Sequence, residues 1–250
     1  GDVVDLHHGR EIADPYRWLE DLDSNETAAF VAAQNAVSGP YLAGLPDRVG
    51  LIERMTELWD IPRTEPPQVR GEGADRVMVW SHNDGLAEQP TYWVQHGAAE
   101  PVVLLDPNTL SDDGAVAVVG SALSDDGRLF AYLLAEAGSD RQQLAIRRTD
   151  NGEDLADRLD HLRFTSIAWM GDGFFYVRWP ETKPGSTAPV KDPSVHYHRI
   201  GTEQADDPLV FHNDDDPEPI YMVELTEDLR YLVLADVLGT DRRNGLLYLD

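Results

Sequence analysis

Ser124-Asp125-Asp126-Gly127-Arg128 runs directly into Leu129-Phe130-Ala131-Tyr132-Leu133-Leu134, and this pairing of a polar turn with an apolar run decides the fold. In a tight turn an aspartate side chain bonds the backbone just ahead of it, and glycine adopts positive φ without steric cost. The apolar run has the length and composition of a strand. The unit recurs: Met170-Gly171-Asp172-Gly173 precedes Phe174-Phe175-Tyr176-Val177, and Thr226-Glu227-Asp228-Leu229-Arg230 precedes Tyr231-Leu232-Val233-Leu234. The turn glycines Gly127 and Gly173 are 46 residues apart, within the ~40–50 residues of one four-stranded propeller blade. In the third copy Leu229 stands where glycine is expected, which leaves the tightness of that turn open. Ser111-Asp112-Asp113-Gly114, only 13 residues before its twin, reads as a turn in a connecting region.

Working outward, short β-type runs separated by Gly, Asp and Asn extend from Val69 to the end. Val77-Met78-Val79-Trp80, Thr91-Tyr92-Trp93-Val94-Gln95 and Val102-Val103-Leu104-Leu105 come first, and Gln143-Leu144-Ala145-Ile146, Val195-His196-Tyr197-His198 and Leu246-Leu247-Tyr248-Leu249 come later. No helical stretch intervenes, which argues for an all-β repeat rather than a βα alternation. Before Val69 the pattern is helical. Asp23 or Ser24 can cap a helix from Asn25, because a short side-chain oxygen accepts the free amide hydrogens of a first turn. Ala29, Phe30, Ala33 and Val37 recur at helical spacing, and Ser38-Gly39-Pro40 is expected to end the run. A second helix is expected over Asp47 to Leu58, with Val49, Ile52, Met55 and Trp59 available for one face. The fold class is therefore mainly β: a helical segment over residues 1–68, then a partial β-propeller of about three to four blades over residues 69–250. Because a propeller closes as a ring of ~4–8 blades, such an arc would leave strand edges unprotected and is expected to be unfinished.

Composition narrows the function classes. Acidic residues outnumber basic ones 46 to 20, for a net charge of −26, and a potential of that sign repels phosphate backbones. Nucleic acid is not an expected partner. Lys183 and Lys191 are the two lysines; a solvated acidic surface that keeps the chain soluble accounts for the charge. No apolar run approaches the ~20 residues that span a bilayer, so no membrane association is expected. The absence of cysteine excludes disulfides and thiolate metal sites within these residues, and fits either a reducing or an oxidising compartment.

Asp14-Pro15-Tyr16-Arg17-Trp18-Leu19-Glu20-Asp21 and Gln34-Asn35 open a series of further stretches. Leu105-Asp106-Pro107-Asn108, Leu110-Ser111-Asp112-Asp113-Gly114, Gly138-Ser139-Asp140, Phe164-Thr165-Ser166-Ile167-Ala168-Trp169 and Tyr197-His198-Arg199-Ile200-Gly201-Thr202-Glu203-Gln204 follow. Together, in this order and over nearly the whole chain, they resemble the N-terminal portion of the prolyl oligopeptidase family of serine peptidases. The resemblance implies that residues 1–68 pack on an α/β-hydrolase domain, and that the remainder is the first half of a seven-bladed propeller. The hydrolase domain, with Ser, Asp and His in that order, would lie C-terminal to Asp250. Since no Gly-x-Ser-x-Gly turn occurs in the 250 residues, no catalytic residue is assigned here and this segment alone is expected to be inactive. The implied activity is hydrolysis of short peptides on the carboxyl side of proline, with no metal or organic cofactor and with the propeller restricting access. Short proline-containing peptides and the chain's own hydrolase domain are the implied partners, and the expected state is a cytoplasmic monomer, or a periplasmic or secreted one if a leader preceded Gly1. Two alternatives stand beside this: an oligopeptidase B-like enzyme cutting after basic residues, and a non-catalytic binding propeller if the chain ends at Asp250.

By the same resemblance, Phe164 lines the pocket beyond the proline site; the alternative is an aromatic of the propeller core. Ile220 and Thr240 fall near pocket positions, though the sequence around them diverges. Asp140 is a candidate interdomain contact or an ordinary turn aspartate, and Arg141 follows it where the family often has an aromatic. His196 and His198 share one strand face, as metal ligands would, but no third ligand follows at suitable spacing, so a structural role is favoured; His7-His8 point apart. Asn213-Asp214-Asp215-Asp216 with Glu218 lacks the glycine and the distant glutamate of an EF-hand loop and reads as a solvated loop. The six tryptophans are too dispersed for a binding strip and read as core or interdomain packing. The acidic shell carries one prediction: the complete enzyme cleaves a basic peptide faster than a matched acidic one at low salt, and the gap closes as salt is raised. Equal rates at low salt would remove the idea.

Overall fold

The computed structural model describes residues 3–181 and 190–250; Lys183 lies outside the described residues. The chain forms two compact units, one built from the residues before Asp60 and the other from Asp60–Pro180 with Lys191–Asp250.

The first unit opens with a hairpin of β1 (Val4–His7) and β2 (Arg10–Ala13), closed by His8 and Gly9, both at positive φ, as a two-residue turn between twisted strands requires. This hairpin, inside the segment read as helical, escapes periodicity because each strand is only four residues long. The aromatic and acidic octapeptide then ties hairpin to helix. Arg17 donates to Asp14 at 2.7 Å and to Asp5 on β1, and Trp18 meets Phe30 edge to face at 5.4 Å. Helix α1 (Asn25–Ala43) is capped by Ser24, whose Oγ accepts from the Thr27 amide at 3.1 Å. The helix does not stop at Pro40: it continues to Ala43, with the Gly44 amide donating to Pro40 O at 3.0 Å. The residue before a proline is barred from helical backbone partly by its own Cβ, and here that residue is Gly39. Helix α2 (Arg48–Trp59) follows, leaving Val49, Ile52, Met55 and Trp59 exposed.

The second unit is a succession of antiparallel sheets. The first holds β3 (Arg63–Thr64), β4 (Gln68–Arg70), β5 (Val77–Asn83), β6 (Thr91–His96) and β7 (Val102–Leu105), with β3 and β4 sharing one edge of β5. The second holds β8 (Val116–Leu123), β9 (Leu129–Glu136), β10 (Gln142–Arg148) and β11 (Asp154–Leu162). The third holds β12 (Ala168–Met170), β13 (Gly173–Arg178), β14 (Ser194–Arg199) and β15 (Leu209–Phe211), and is joined to the second by the single rung Leu162–Arg178. The fourth holds β16 (Ile220–Leu225), β17 (Leu232–Val237) and β18 (Gly245–Leu249). Apart from β3 and β4, which both pair with β5, the strands of each sheet pair in sequence order, and successive sheets pack on one another. Val77, Val79, Val94, Leu104 and Leu105 meet Leu123, Phe130 and Tyr132 of the second sheet; Leu144, Ile146, Leu159 and Leu162 meet Trp169, Phe174 and Tyr176 of the third. This is the blade-by-blade arrangement of a propeller.

Strand β11 was not foreseen, because Asp154-Leu155-Ala156-Asp157-Arg158-Leu159-Asp160-His161-Leu162 is half charged. It is the outer strand of its sheet and pairs with β10 across two register shifts. Only Asp157, Leu159 and Leu162 turn inward, so the expected alternation is broken.

The repeated turns share one hydrogen-bond plan. In the first, Gly127 N donates to Ser124 O at 2.9 Å, Ser124 Oγ donates to Asp126 at 2.7 Å, and Leu129 N donates back to Ser124 Oγ at 2.9 Å. In the third, Leu229 N donates to Thr226 O at 2.8 Å, Thr226 Oγ1 to Asp228 at 2.6 Å, and Tyr231 N to Thr226 Oγ1 at 3.0 Å. That turn is as tight as its twin, with Leu229 at φ 56° and Gly127 at φ 72°. The middle copy differs: Gly171 takes positive φ, while Gly173 opens β13, where a Cβ would lie 2.0 Å from His198 O. Gly127 also has a packing reason, since a Cβ there would meet Val77 Cβ and Cγ2 at 3.0 Å. Gly127→Ala should therefore cost about 1–2 kcal/mol, combining left-handed strain and contact with the first sheet. Leu229→Gly should change stability by less than about 1 kcal/mol, as relieved strain offsets added chain entropy. Urea unfolding reads both; a neutral Gly127→Ala would dismiss the packing role.

Candidate functional site

Because the strands of each sheet alternate in direction, the turns that join first to second strands all lie at one end of the sheets. The starts of the first strands and the loops from second to third strands lie at the other. All four residues singled out in the sequence belong to this second end. Phe164 precedes β12 and Ile220 opens β16; Asp140 lies between β9 and β10, and Thr240 between β17 and β18.

Phe164 is 48% exposed and adopts φ 46°, a left-handed backbone that costs a non-glycine residue roughly 1–2 kcal/mol. Its ring stands edge-on to Trp179, which is buried, with centroids 6.3 Å apart. The backbone on either side is held. Trp179 Nε1 donates to Arg163 O at 2.7 Å and Trp179 N to His161 O at 2.8 Å. Val177 N donates to Thr165 Oγ1 at 2.8 Å, and Ser166 Oγ bridges to β16 by donating to Val223 O at 2.6 Å while accepting from Val223 N at 2.8 Å. The Asp140 carboxylate accepts from Arg163 Nη1 at 2.6 Å, and the Arg163 side chain is 13% exposed. Asp140 and Phe164 are thus brought together through Arg163. Ile220, half-buried and opposite Val237, and Thr240, exposed in a turn, sit on the fourth sheet; among the described residues they share no hydrogen bond or ring contact with Phe164. Arg163 and Trp179 were not singled out in the sequence: a lone arginine and one of several scattered tryptophans carry no local signal.

A cleft of about 590 Å³ runs along the first strands. Arg70, Ser121, Trp169 and Val223 form its walls, Thr165–Ile167 line it toward the Phe164 end, and Asp125, Thr226, Glu227 and Leu229 line it at the turn end. The Leu229 side chain contributes to the lining, a use that glycine in the same turn would not offer. Burial raises the Asp125 carboxyl above the ordinary aspartate range, and Arg70, 3.9 Å away, only partly counters it.

Sheets packed blade on blade, with the first strands around a cleft, define a β-propeller domain. A family model described as "Prolyl oligopeptidase, N-terminal beta-propeller domain" matches residues 1–250, and the chain belongs to the prolyl oligopeptidase family. It is similar to the prolyl endopeptidase of Elizabethkingia meningoseptica, 31% identical over 241 residues, which cover 95% of this chain and 34% of the relative. It is similar also to prolyl oligopeptidase A of Amanita bisporigera, 32% identical over 270 residues, covering 96% and 35%. Among solved structures, one from a study of two prolyl endopeptidases and their inter-domain dynamics is 35% identical with a TM-score of 0.68, covering 98% of this chain and 35% of its own. Prolyl oligopeptidase B of Galerina marginata, bound to a 25mer macrocyclization substrate, is 26% identical with a TM-score of 0.82, covering 99% and 38%. The chain spans about a third of the length of the curated relatives it matches.

The two histidines of β14 prove unlike. His196 is half-buried, bonds Ser194 Oγ at 3.0 Å, and is lowered in pKa chiefly by burial. His198 is fully buried: Nδ1 faces Asp207 Oδ1 at 2.9 Å and Nε2 faces Asp157 Oδ1 at 3.2 Å. Asp207 also accepts from Tyr176 Oη at 2.8 Å, and Asp157 from Gly201 N at 2.5 Å. Burial, more than the neighbouring carboxylate, raises the Tyr176 phenol. Both ring nitrogens of His198 are engaged by carboxylates, one from the second sheet and one from the third, so its role is cross-linking. The acidic loop is bonded to itself, with Asp215 N donating to Asn213 Oδ1 at 3.2 Å and Glu218 N to Asp216 Oδ1 at 3.1 Å. Removing one member of a buried hydrogen-bonded set leaves its partners unsatisfied. His198→Ala should therefore lower the unfolding free energy by about 1–3 kcal/mol. A loss under about 1 kcal/mol in denaturant unfolding would show that the network contributes no stability.

Proposed function

We propose that this chain is the access-controlling and packing portion of a serine endopeptidase that hydrolyses short peptides on the carboxyl side of proline. The observation that carries the reading is the match of all 250 residues to the N-terminal propeller domain of the family. The names of the relatives, prolyl endopeptidases and macrocyclase-peptidases, support it. In this reading the serine, aspartate and histidine of the reaction belong to an α/β-hydrolase domain beyond Asp250, where the serine attacks the carbonyl after proline and the histidine takes and returns its proton. The exposed apolar side chains of α2 offer a surface for that domain to cover. The exposed ring of Phe164, backed by Trp179, offers a flat apolar face to a residue of the bound peptide.

Two reporters test the reading. The full-length protein should cleave a peptide reporter after proline at least about tenfold faster, in kcat/KM, than the matched reporter after arginine. A serine-directed inhibitor should abolish this, and the 250-residue chain alone should cleave neither. Preference for arginine would move the protein to the basic-residue branch.

A further inference from the structure

Strands β8 and β16 are edge strands of their sheets and border the cleft. An edge strand carries amides and carbonyls that no neighbouring strand meets. Leu123 of β8 and Val223 of β16 are buried, so their edge groups must find partners inside the protein. The partners come from the neighbouring sheets. Leu123 N donates to Gln68 Oε1 of β4 at 2.7 Å, and Gln68 Nε2 donates to Ser121 O at 3.3 Å, so one side-chain amide stands in for a peptide group of an added strand. Arg70, two residues on along β4, donates through Nη2 to Leu123 O at 3.2 Å. The hydroxyl of Ser166, just ahead of β12, likewise serves both edge groups of Val223, accepting from its amide at 2.8 Å and donating to its carbonyl at 2.6 Å. Between these two seams Trp169 Nε1 donates to Ala122 O at 3.1 Å. Each seam between successive sheets is thus crossed on the cleft side by a side chain bonded to backbone. Among the described residues a strand-pairing rung crosses only the seam between the second and third sheets.

We propose that Gln68 and Ser166 lock the first and fourth sheets against their neighbours, fix the width of the cleft, and so set the largest peptide that the complete enzyme admits. This rests on the access-controlling reading above and deepens it. Both are positioning residues, each acting through the strand edge that it holds. When a lock is lost, a buried amide and a carbonyl are left without partners. The seam relieves this by parting on the cleft side, where water then reaches the strand edge, and the cleft widens. The change falls on long peptides and spares short ones and the chemical step.

The test uses the full-length enzyme and two proline reporters, a short peptide and the same peptide embedded in a longer unstructured one. Both carry the same residues around the proline, so any change in binding beside the scissile bond cancels in their ratio. The wild-type enzyme should favour the short reporter. Gln68→Leu and Ser166→Ala should each raise kcat/KM on the long reporter relative to the short one about threefold to tenfold, the scale of one or two lost hydrogen bonds. Gln68→Glu, which keeps an acceptor for the Leu123 amide, and Ser166→Thr, which keeps the hydroxyl, should recover part of the wild-type ratio. Gln143→Leu is the control, since Gln143 bonds Asp160 at 2.7 Å within the second sheet and crosses no seam; its ratio should match wild type. A ratio unchanged in both Gln68→Leu and Ser166→Ala overturns the locks and leaves the access reading standing. Equal loss on both reporters, following loss of stability, also overturns them by showing a purely structural role. A wild-type enzyme that cleaves the long reporter as fast as the short one, or cleaves neither, removes the access reading and the locks with it.

Discussion

Strand β9 is buried on both faces, and the rest of the second unit is arranged around that constraint. Phe130 and Tyr132 point into the core shared with the first sheet, while Ala131 and Leu133 point into the core shared with the third. A strand with two buried faces cannot alternate apolar and polar residues; it reads as a continuous apolar run, which is what Leu129 to Leu134 shows. Such a strand is stable only if a sheet covers it on each side. The length of chain between its turn and the next is then set by the strands needed to build one sheet. Tyr132 places its hydroxyl 3.1 Å from both Asp154 oxygens, and burial first, then that carboxylate, pushes the phenol up to about 12. Arg147 closes the group by bonding Asp154 at 2.7 Å and Leu104 O at 2.9 Å, so the polar rim of the core ties the second sheet to the first.

The same argument shows what could be read in the sequence. Inner strands are legible as apolar runs: β9, β10 and β13, buried on both faces, and β5 and β17, buried on one face and half-buried on the other, are all placed. Those missed were the first strands β8, β12 and β16, the outer strands β11 and β15, and the short β3 and β4. Val116–Leu123 borders the cleft and carries Gly120 and Ser121 in place of apolar residues; Asp154–Leu162 faces solvent on one side. Incomplete burial in β8, β11 and β16, and a length of two or three residues in β3, β4, β12 and β15, leave too few apolar residues to count. Helix α1 passed through Pro40 because the deciding feature was the missing side chain of Gly39, a local steric matter that period counting does not see. At the candidate site, Phe164 and Asp140 were legible only through resemblance to a family. Arg163 and Trp179 join them through contacts between residues 16 and 23 positions apart, which no local pattern encodes.

Charge is handled locally. Many aspartates accept hydrogen bonds from backbone amides two residues ahead, as Asp106, Asp113, Asp126, Asp216 and Asp228 do in their turns. Hydrogen bonds and nearby arginine hold several of these carboxyls below the ordinary range: at Asp113 the Ala115 amide dominates, at Asp228 the Thr226 hydroxyl, and at Asp241 the Arg243 side chain. An acidic residue that completes a turn serves the fold whatever the net charge. A net charge of −26 therefore need not reflect a single anionic patch.

The Phe164 end is tied into the sheets on either side of it. The second and third sheets share three kinds of tie: the backbone rung Leu162–Arg178, the apolar cluster around Leu159 and Phe174, and the buried bond of His198 to Asp157. Phe164 follows Leu162 by two residues, and Trp179 follows Arg178 by one, so ring and backing emerge from the two partners of that rung. The fourth sheet is tied to the third by Ser166 on Val223 and by Phe211 packing edge-on to Tyr221 at 5.3 Å. A side chain proposed to meet a ligand in one orientation needs a well-tied scaffold. The seam between the second and third sheets is such a place, because a displacement there must break a ladder bond, an apolar core and a buried hydrogen bond together.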